Sequence, residues 1–197
     1  AFNATLEGGT STGTSCNYDK VFGYALKVPG MSESALDNTT VFLLINVDAY
    51  AGTCAMYVSG RSVSMCPMGR DSFRPVVSHE GGGHGFGRLL DEYRYNEAQL
   101  PAQMKDEINY WRGYDPYYGY NIDITGDRSK VHWAHYFTRP GYEAVGMFEG
   151  GFLYTQGVWR PEEISCMHDN RAYYNAPSRE AIVQRIMKSS GKTFNKT

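Results

Sequence analysis

The sequence predicts a mixed α/β fold built as one domain, and three segments carry that prediction. The apolar run Val41–Val47 (VFLLINV) has the length of a buried β-strand. Apolar residues recur at helical spacing in Pro101–Arg112, which has Pro in its first turn, and again in Pro177–Lys188. Strand and helix patterns therefore alternate along a chain of 197 residues, close to the roughly 150 residues of an ordinary domain.

The remaining elements follow in chain order. Residues 1–15 are rich in Gly, Ser and Thr and predict an irregular lead-in, so the domain is expected to span residues 16–197. Because Val41–Val47 is apolar throughout, we expect a central strand that is covered on both faces. The beginning AFNAT lacks a charged leader region and leaves open an upstream domain. Three shorter segments complete the assignment: a strand at Val21–Val28, one helical turn at Ser32–Asp37 and a short helix at Lys130–Phe137.

The four cysteines, Cys16, Cys54, Cys66 and Cys166, include no CxxC pair, which argues against a structural zinc–thiolate site. Two of them, Cys54 and Cys66, flank the turn Ser59-Gly60-Arg61 symmetrically. This symmetry predicts a hairpin with a Cys54–Cys66 disulfide, and two buried thiols are the alternative. The even number of cysteines favours an oxidising compartment, so we expect a secreted or cell-envelope protein.

The charge balance and the lack of long apolar runs argue against two classes of partner, although a local basic patch for nucleic acid stays open. The chain has 19 Lys and Arg against 21 Asp and Glu, which argues against a protein that holds nucleic acid through its phosphates. No apolar run approaches the roughly 20 residues of a membrane span. Hydrophobic residues make up 42% of the chain, enough for a real core. We therefore expect no nucleic acid and no membrane span, and the oligomeric state stays open.

The segment Ser78–Tyr93 (SHEGGGHGFGRLLDEY) has the residue types of a metal site. In zinc peptidases, His-Glu-x-x-His on a helix puts two imidazoles on one face with a Glu beside them. Here three glycines separate His79-Glu80 from His84, one residue more. In a regular α-helix, side chains five positions apart are separated by roughly 140° and cannot share one ion. The spacing therefore predicts a π-type bulge or a glycine break between Glu80 and His84.

The segment Ser78–Tyr93 has other interpretations. Three glycines between polar residues also fit a surface turn with two exposed histidines. A serine hydrolase would need a G-x-S-x-G elbow after this segment, and none follows it. A phosphate loop would need Lys-Ser or Lys-Thr directly after the glycines, where His84-Gly85 stands instead. Gly87 allows the helix to end, and Asp91 and Glu92 then offer a carboxylate. Two histidines and one carboxylate make a catalytic zinc set.

At this point the sequence resembles the immunoglobulin A peptidase family of metallopeptidases, which are relatives of the metzincins. The strongest part of the resemblance is His79-Glu80…His84-Gly85-Phe86-Gly87…Leu89…Asp91-Glu92-Tyr93. The resemblance covers about residues 20 to 175 and implies a metzincin-like mixed sheet with an active-site helix and a C-terminal helix. Its other segments are Val41–Val47, Asn121-Ile122-Asp123 with the later Trp133, Val145–Gly151 (VGMFEGG), and Gly157–Pro161 (GVWRP) followed by Cys166-Met167.

The resemblance implies roles for the motif residues. His79 and His84 correspond to ligands of one catalytic Zn²⁺, and Glu80 corresponds to the general base. Met167 resembles the Met-turn beneath the zinc of metzincins. We expect Glu149 and Arg160 to be structural. The remaining histidines are expected to be ordinary or wall residues rather than ligands: His132, His135 and His168.

The third ligand is where this sequence departs from the family pattern. Metzincins place a His or Asp six residues after the second His, and that position is Leu90 here. We predict that Asp91, one residue later, is the third ligand, and Glu92 stays as the alternative. The other carboxylate is expected to pair with a cation or to orient a ligand histidine.

The predicted function is a zinc-dependent endopeptidase that acts on a protein or peptide substrate. One alternative is an inactive metal-binding relative that serves as a binding or adhesion module. Another is an adhesion-type domain without metal. Zinc content separates the last from the other two, and proteolysis separates the first two from each other.

Overall fold

The computed structural model describes residues 2–7, 13–69 and 71–194. The chain divides into two units, Ala1–Phe86 and Gly87–Thr197. Each unit combines helices with a mixed three-stranded sheet, so the predicted mixed α/β class is confirmed. Within the described residues, no helix is both long enough and apolar enough to cross a bilayer.

The first unit is built on a sheet with the strand order β3-β5-β4. Strand β3 (Thr40–Ile45) lies parallel to β5 (Ser62–Pro67), and β4 (Thr53–Met56) lies antiparallel on the other side of β5. The hairpin predicted between Cys54 and Cys66 is therefore confirmed, and β5 is the central strand. Every residue of β5 is buried.

The prediction that Val41–Val47 forms a central, doubly covered strand is wrong. Strand β3 lies at an edge of the sheet, and the side chains of Phe42 and Leu44 are 46% and 48% exposed. The apolar content of Val41–Val47 identified a strand but not its position in the sheet. The central position belongs to β5, although its sequence SVSMCP contains two buried serines.

Two short helices cover the core of the first unit. The prediction of a strand at Val21–Val28 is wrong, since Tyr18–Ala25 forms helix α1. The Asn17 side chain caps α1 by accepting a hydrogen bond from the Lys20 amide at 2.9 Å, a start signal that outweighs the β-propensity of the apolar residues. The predicted turn at Ser32–Asp37 is confirmed as helix α2 (Glu33–Leu36). The buried core of this unit comprises Val21, Phe22, Leu36, Leu43, Val63 and Met65.

The lead-in contains a little regular structure where irregular chain was expected. Strands β1 (Thr5–Leu6) and β2 (Thr14–Ser15) pair antiparallel. Residues 1 and 8–12 of the predicted lead-in lie outside the described residues.

The predicted Cys54–Cys66 disulfide is wrong, because the hairpin turn is centred one residue earlier than expected. The amide of Gly60 donates to the carbonyl of Tyr57, and the register places Cys54 opposite Ser64. All four cysteines lie among the described residues, and they are thiols. Burial, with a smaller effect of the Glu80 charge, raises the pKa of the Cys66 thiol to about 12. The secreted or cell-envelope location stays a prediction.

The second unit contains a sheet with the order β6-β8-β7. Strand β6 (Arg94–Gln99) lies parallel to β8 (Leu153–Arg160), and β7 (Phe148–Gly151) lies antiparallel to β8. The helices of this unit are α4 (Ala102–Tyr114), α5 (Cys166–Asp169) and α6 (Ala176–Ser189). Helices α4 and α6 confirm the predicted helices at 101–112 and 177–188. The helix predicted at 130–137 is only a 3₁₀ turn, Ala134–Tyr136.

Candidate metal centre

A π-helix carries the His-Glu segment. It spans Val77–Phe86 and continues directly from helix α3 (Phe73–Val76). In a π-helix the hydrogen bonds join residues five positions apart, so residues at that spacing lie on one face. The distortion predicted between Glu80 and His84 is therefore confirmed, and it brings the rings of His79 and His84 together.

The geometry of the histidine pair fits a shared metal ion. The Nε2 atoms of His79 and His84 lie 3.1 Å apart, and the two side chains are 5% and 8% exposed. Two imidazole nitrogens on one tetrahedral zinc, each at about 2.0–2.1 Å, would lie about 3.3 Å apart. The nitrogens thus need to move apart by only a few tenths of an ångström to accept the ion.

The glycines of the π-helix let it approach the sheet closely. A Cβ atom on Gly81 would lie 2.0 Å from the Phe42 ring, and one on Gly85 would lie 2.6 Å from the Thr40 methyl carbon. Two serines of β5 complete this contact. The Ser64 hydroxyl donates to the carbonyl of Glu80 at 2.8 Å, and the Ser62 hydroxyl donates to the carbonyl of Gly85 at 3.3 Å. The sequence analysis missed both serines, although alternating serines in an otherwise apolar strand were a usable signal.

This packing predicts the effect of adding a methyl group at Gly85. Alanine normally stabilises a helix interior by about 1 kcal/mol relative to glycine. At Gly85 the added Cβ overlaps Thr40 and the Ser64 hydroxyl, so we expect Gly85→Ala to lower the free energy of unfolding by about 1–3 kcal/mol. The matched control is Gly23→Ala within α1, where no atom lies within 4 Å of the added Cβ. Urea unfolding measures both, and stabilisation by Gly85→Ala would contradict the packing.

Glu80 lies in the same π-helix, between the two histidines in sequence. Its side chain is 9% exposed, and its Oε1 atom would lie 2.6 Å from a Cβ added to Gly52. Because Gly52 has no side chain, the Glu80 carboxylate can occupy the space beside it.

In the second unit, the side chain of Glu92 is fully buried and its carboxylate accepts three hydrogen bonds. Asn121 Nδ2 and Asn175 Nδ2 both donate to Oε1, and the Ser165 hydroxyl donates to Oε2, each at 2.7 Å. The expectation that the second carboxylate pairs with a cation or a histidine is wrong, because its partners are neutral amides and a hydroxyl. No spacing or cap pattern indicates Asn121 for this role, whereas Asn175 precedes a helix with Pro in its first turn, a cap signal.

Burial raises the pKa of the Glu92 carboxyl to about 7, although the three hydrogen bonds and the nearby Arg160 charge favour the ionised form.

The raised pKa of Glu92 predicts a pH dependence of stability. Because the pKa of the folded state, about 7, exceeds the ordinary value of 4.5, the folded protein holds this proton more tightly than the unfolded chain. The free energy of unfolding should therefore fall as the pH rises from about 4.5 through 7, by about 3 kcal/mol. The Glu92→Gln side chain does not titrate in this range, so this variant should lack the part of the fall in the free energy of unfolding that comes from position 92. Urea unfolding of the metal-free proteins at pH 5 and pH 8 measures the difference, and parallel losses in both would contradict this effect.

Asp91 precedes Glu92 in the second unit and is half-buried. Its backbone carbonyl accepts a hydrogen bond from the Phe152 amide at 2.8 Å. The Asp91 side chain offers a carboxylate oxygen, a ligand type that zinc accepts beside histidine nitrogens.

The other residues singled out from the sequence have structural contacts. Met167 is completely buried in a cluster with Leu89, Tyr120 and Ala181. The Arg160 guanidinium donates to the carbonyls of Glu149 and Gly150, at 3.1 and 2.7 Å.

Two of the remaining three histidines lie against carboxylates. His132 Nδ1 is 3.2 Å from Asp123, and His135 Nε2 is 2.9 Å from Glu180. Burial, helped by the charge of Arg160, lowers the pKa of His168.

Comparison with known proteins finds no matching family profile and no matching curated protein.

Proposed function

We propose that this protein is a zinc-dependent endopeptidase with a metzincin-like fold, as its resemblance to the immunoglobulin A peptidase family implies. The observation that carries the proposal is the 3.1 Å separation of the buried Nε2 atoms of His79 and His84. A helix interrupted by three glycines is poorly suited to stability alone. Departure from a local rule beside functional residue types is expected at a functional site.

Asp91 is the proposed third ligand. A catalytic zinc site uses three protein ligands and keeps a fourth position for the reaction. The alternative, Glu92, is less suitable because both of its oxygens already accept hydrogen bonds inside the second unit. A shared ion would join Asp91 to the histidine pair.

Glu80 is the proposed general base. A zinc ion held by these residues would supply a Lewis acid that polarises the scissile carbonyl and activates water. The Glu80 carboxylate would accept a proton from the attacking water and deliver it to the leaving amine nitrogen. Its burial supports this role, since a reacting water held at this carboxylate would be largely shielded from bulk solvent.

The contact between Glu80 and Gly52 predicts a variant that separates catalysis from metal binding. In Gly52→Ala the new Cβ would displace the Glu80 carboxylate, whose Oε1 atom is the flexible end of a side chain. A misplacement of about 1 Å can cost roughly 10²-fold in rate. We therefore expect a comparable loss of kcat with unchanged zinc content, measured with Gly23→Ala as the control. Full activity in Gly52→Ala would contradict the placement of the base.

The proposal is tested by hydrolysis of an unfolded protein substrate, such as a reduced and alkylated protein. The chain is stripped with a chelator, reloaded with one equivalent of Zn²⁺ and assayed by the appearance of new amino termini. We expect cleavage only after zinc is restored, and none from His79→Ala or His84→Ala. Zinc binding without cleavage would favour the inactive binding module, and absence of zinc binding would favour the metal-free domain.

A further inference from the structure

The backbone of Leu90, directly before Asp91, forms two hydrogen bonds with one side chain of the second unit. The Asn121 amide bonds to both backbone groups of Leu90: its Oδ1 accepts from the Leu90 N–H at 2.9 Å, and its Nδ2 donates to the Leu90 carbonyl at 2.7 Å. All of these groups are buried. Asn121 therefore pairs with Leu90 as a neighbouring strand would, which fixes the chain where it enters Asp91.

The backbone at and after Asp91 is held as well. The carbonyl of Asp91 accepts from the Phe152 amide at 2.8 Å, and the amide of Glu92 donates to the Met167 carbonyl at 2.8 Å. Four backbone groups in the three residues around Asp91 thus have partners from elsewhere in the second unit.

The Glu92 side chain ties this segment to two helix starts. The Ser165 hydroxyl caps α5 by accepting from the Met167 amide at 3.1 Å, and it also donates to Glu92. The Asn175 side chain caps α6 by accepting from the Ser178 amide at 3.0 Å, and its Nδ2 also donates to Glu92. Asn121 Nδ2 donates to the same carboxylate. One buried carboxylate thus joins the Asp91 segment to Asn121 and to the ends of two helices.

We propose that Asn121 and Glu92 are positioning residues that hold the backbone carrying the Asp91 carboxylate in place before a metal ion binds. This inference rests on the proposed function, because it takes Asp91 as a ligand. A ligand on a loosely held segment would lose conformational freedom on binding, and that loss would weaken the affinity. With the backbone of residues 90–92 already fixed, most of that ordering is complete in the metal-free protein.

The test compares zinc dissociation constants, measured by chelator competition, in folded variants. Asn121→Ser removes the reach to Leu90 and Glu92, and we expect zinc binding to weaken by roughly 10–100-fold, as for other partners that orient metal ligands. Glu92→Gln should keep the contacts of position 92, because its Oε1 can still accept from both asparagines and its Nε2 can donate to the Ser165 hydroxyl. We expect its dissociation constant to stay close to that of the wild type. The control is Ile108→Val, a buried change in α4.

A second readout needs no metal. Hydrogen exchange of the Leu90 and Glu92 amides in the metal-free protein should accelerate in Asn121→Ser and stay unchanged in Ile108→Val. If Asn121→Ser does not fold, Asn175→Ser replaces it, because serine keeps the α6 cap and loses only the bond to Glu92.

The outcomes separate this inference from the proposed function. Zinc binding by the wild type, with an equal dissociation constant in the folded Asn121 or Asn175 variant, overturns the positioning role and leaves the peptidase proposal intact. Absence of zinc binding by the wild type overturns both.

Discussion

Glu80→Gln is expected to lower the turnover number by about 10²–10⁴-fold while the zinc content stays at one ion per chain. Glutamine keeps the shape of the side chain and can still form hydrogen bonds, but it does not take up the proton that the reaction must move. Since Glu80 is not among the proposed ligands, metal binding should not change. Turnover is measured on the unfolded substrate, and zinc is measured by elemental analysis of the same sample.

The control for this variant is Glu97→Gln, which changes an exposed glutamate of β6. It should keep wild-type turnover. Unchanged turnover in zinc-loaded Glu80→Gln would remove Glu80 from the reaction. Loss of zinc together with turnover would instead make Glu80 a ligand or a support of the histidine pair.

Asp91→Ala is expected to remove zinc and activity together. Loss of a direct ligand should cost more than the roughly 10–100-fold in metal affinity that loss of an orienting partner costs. The fold should persist, because the Asp91 backbone carbonyl, which bonds to Phe152, is kept. Chelator competition measures the affinity, and circular dichroism checks the fold.

The matched control is Asp106→Ala, on the exposed side of α4. It should bind zinc as the wild type does. Wild-type affinity in Asp91→Ala would exclude Asp91 as the third ligand, and Glu92 or His168 would then be examined.

The π-helix was predictable because it follows from the spacing of the two histidines in the sequence. His79 and His84 are five positions apart, which is incompatible with a shared ion on an α-helix, and a helix with i to i+5 hydrogen bonds resolves the conflict. The proline expected in the first turn of the 101–112 helix was an equally local signal, and α4 begins just after Pro101. Features set by a few neighbouring residues could thus be read from the sequence.

Features set by pairing between distant segments could not be read in this way. The central position of β5 depends on its pairing with both β3 and β4, whereas composition indicated the more apolar strand, β3, as the central one. The disulfide prediction failed because a shift of one residue in the turn centre moves the partner of Cys54 from Cys66 to Ser64. Glu92 and Asn121 are 29 residues apart in the sequence, and no spacing rule connects them.

We propose that His79, His84 and Asp91 hold one zinc ion. A crystal structure of the zinc-loaded protein, recorded with anomalous scattering at the zinc edge, shows whether they do. We predict one anomalous peak, bonded to the Nε2 atoms of both histidines at about 2.0–2.1 Å and to an Asp91 oxygen at about 2.0–2.2 Å. A peak bonded to a cysteine sulfur or to Glu92, or no peak near the histidine pair, would contradict the claim.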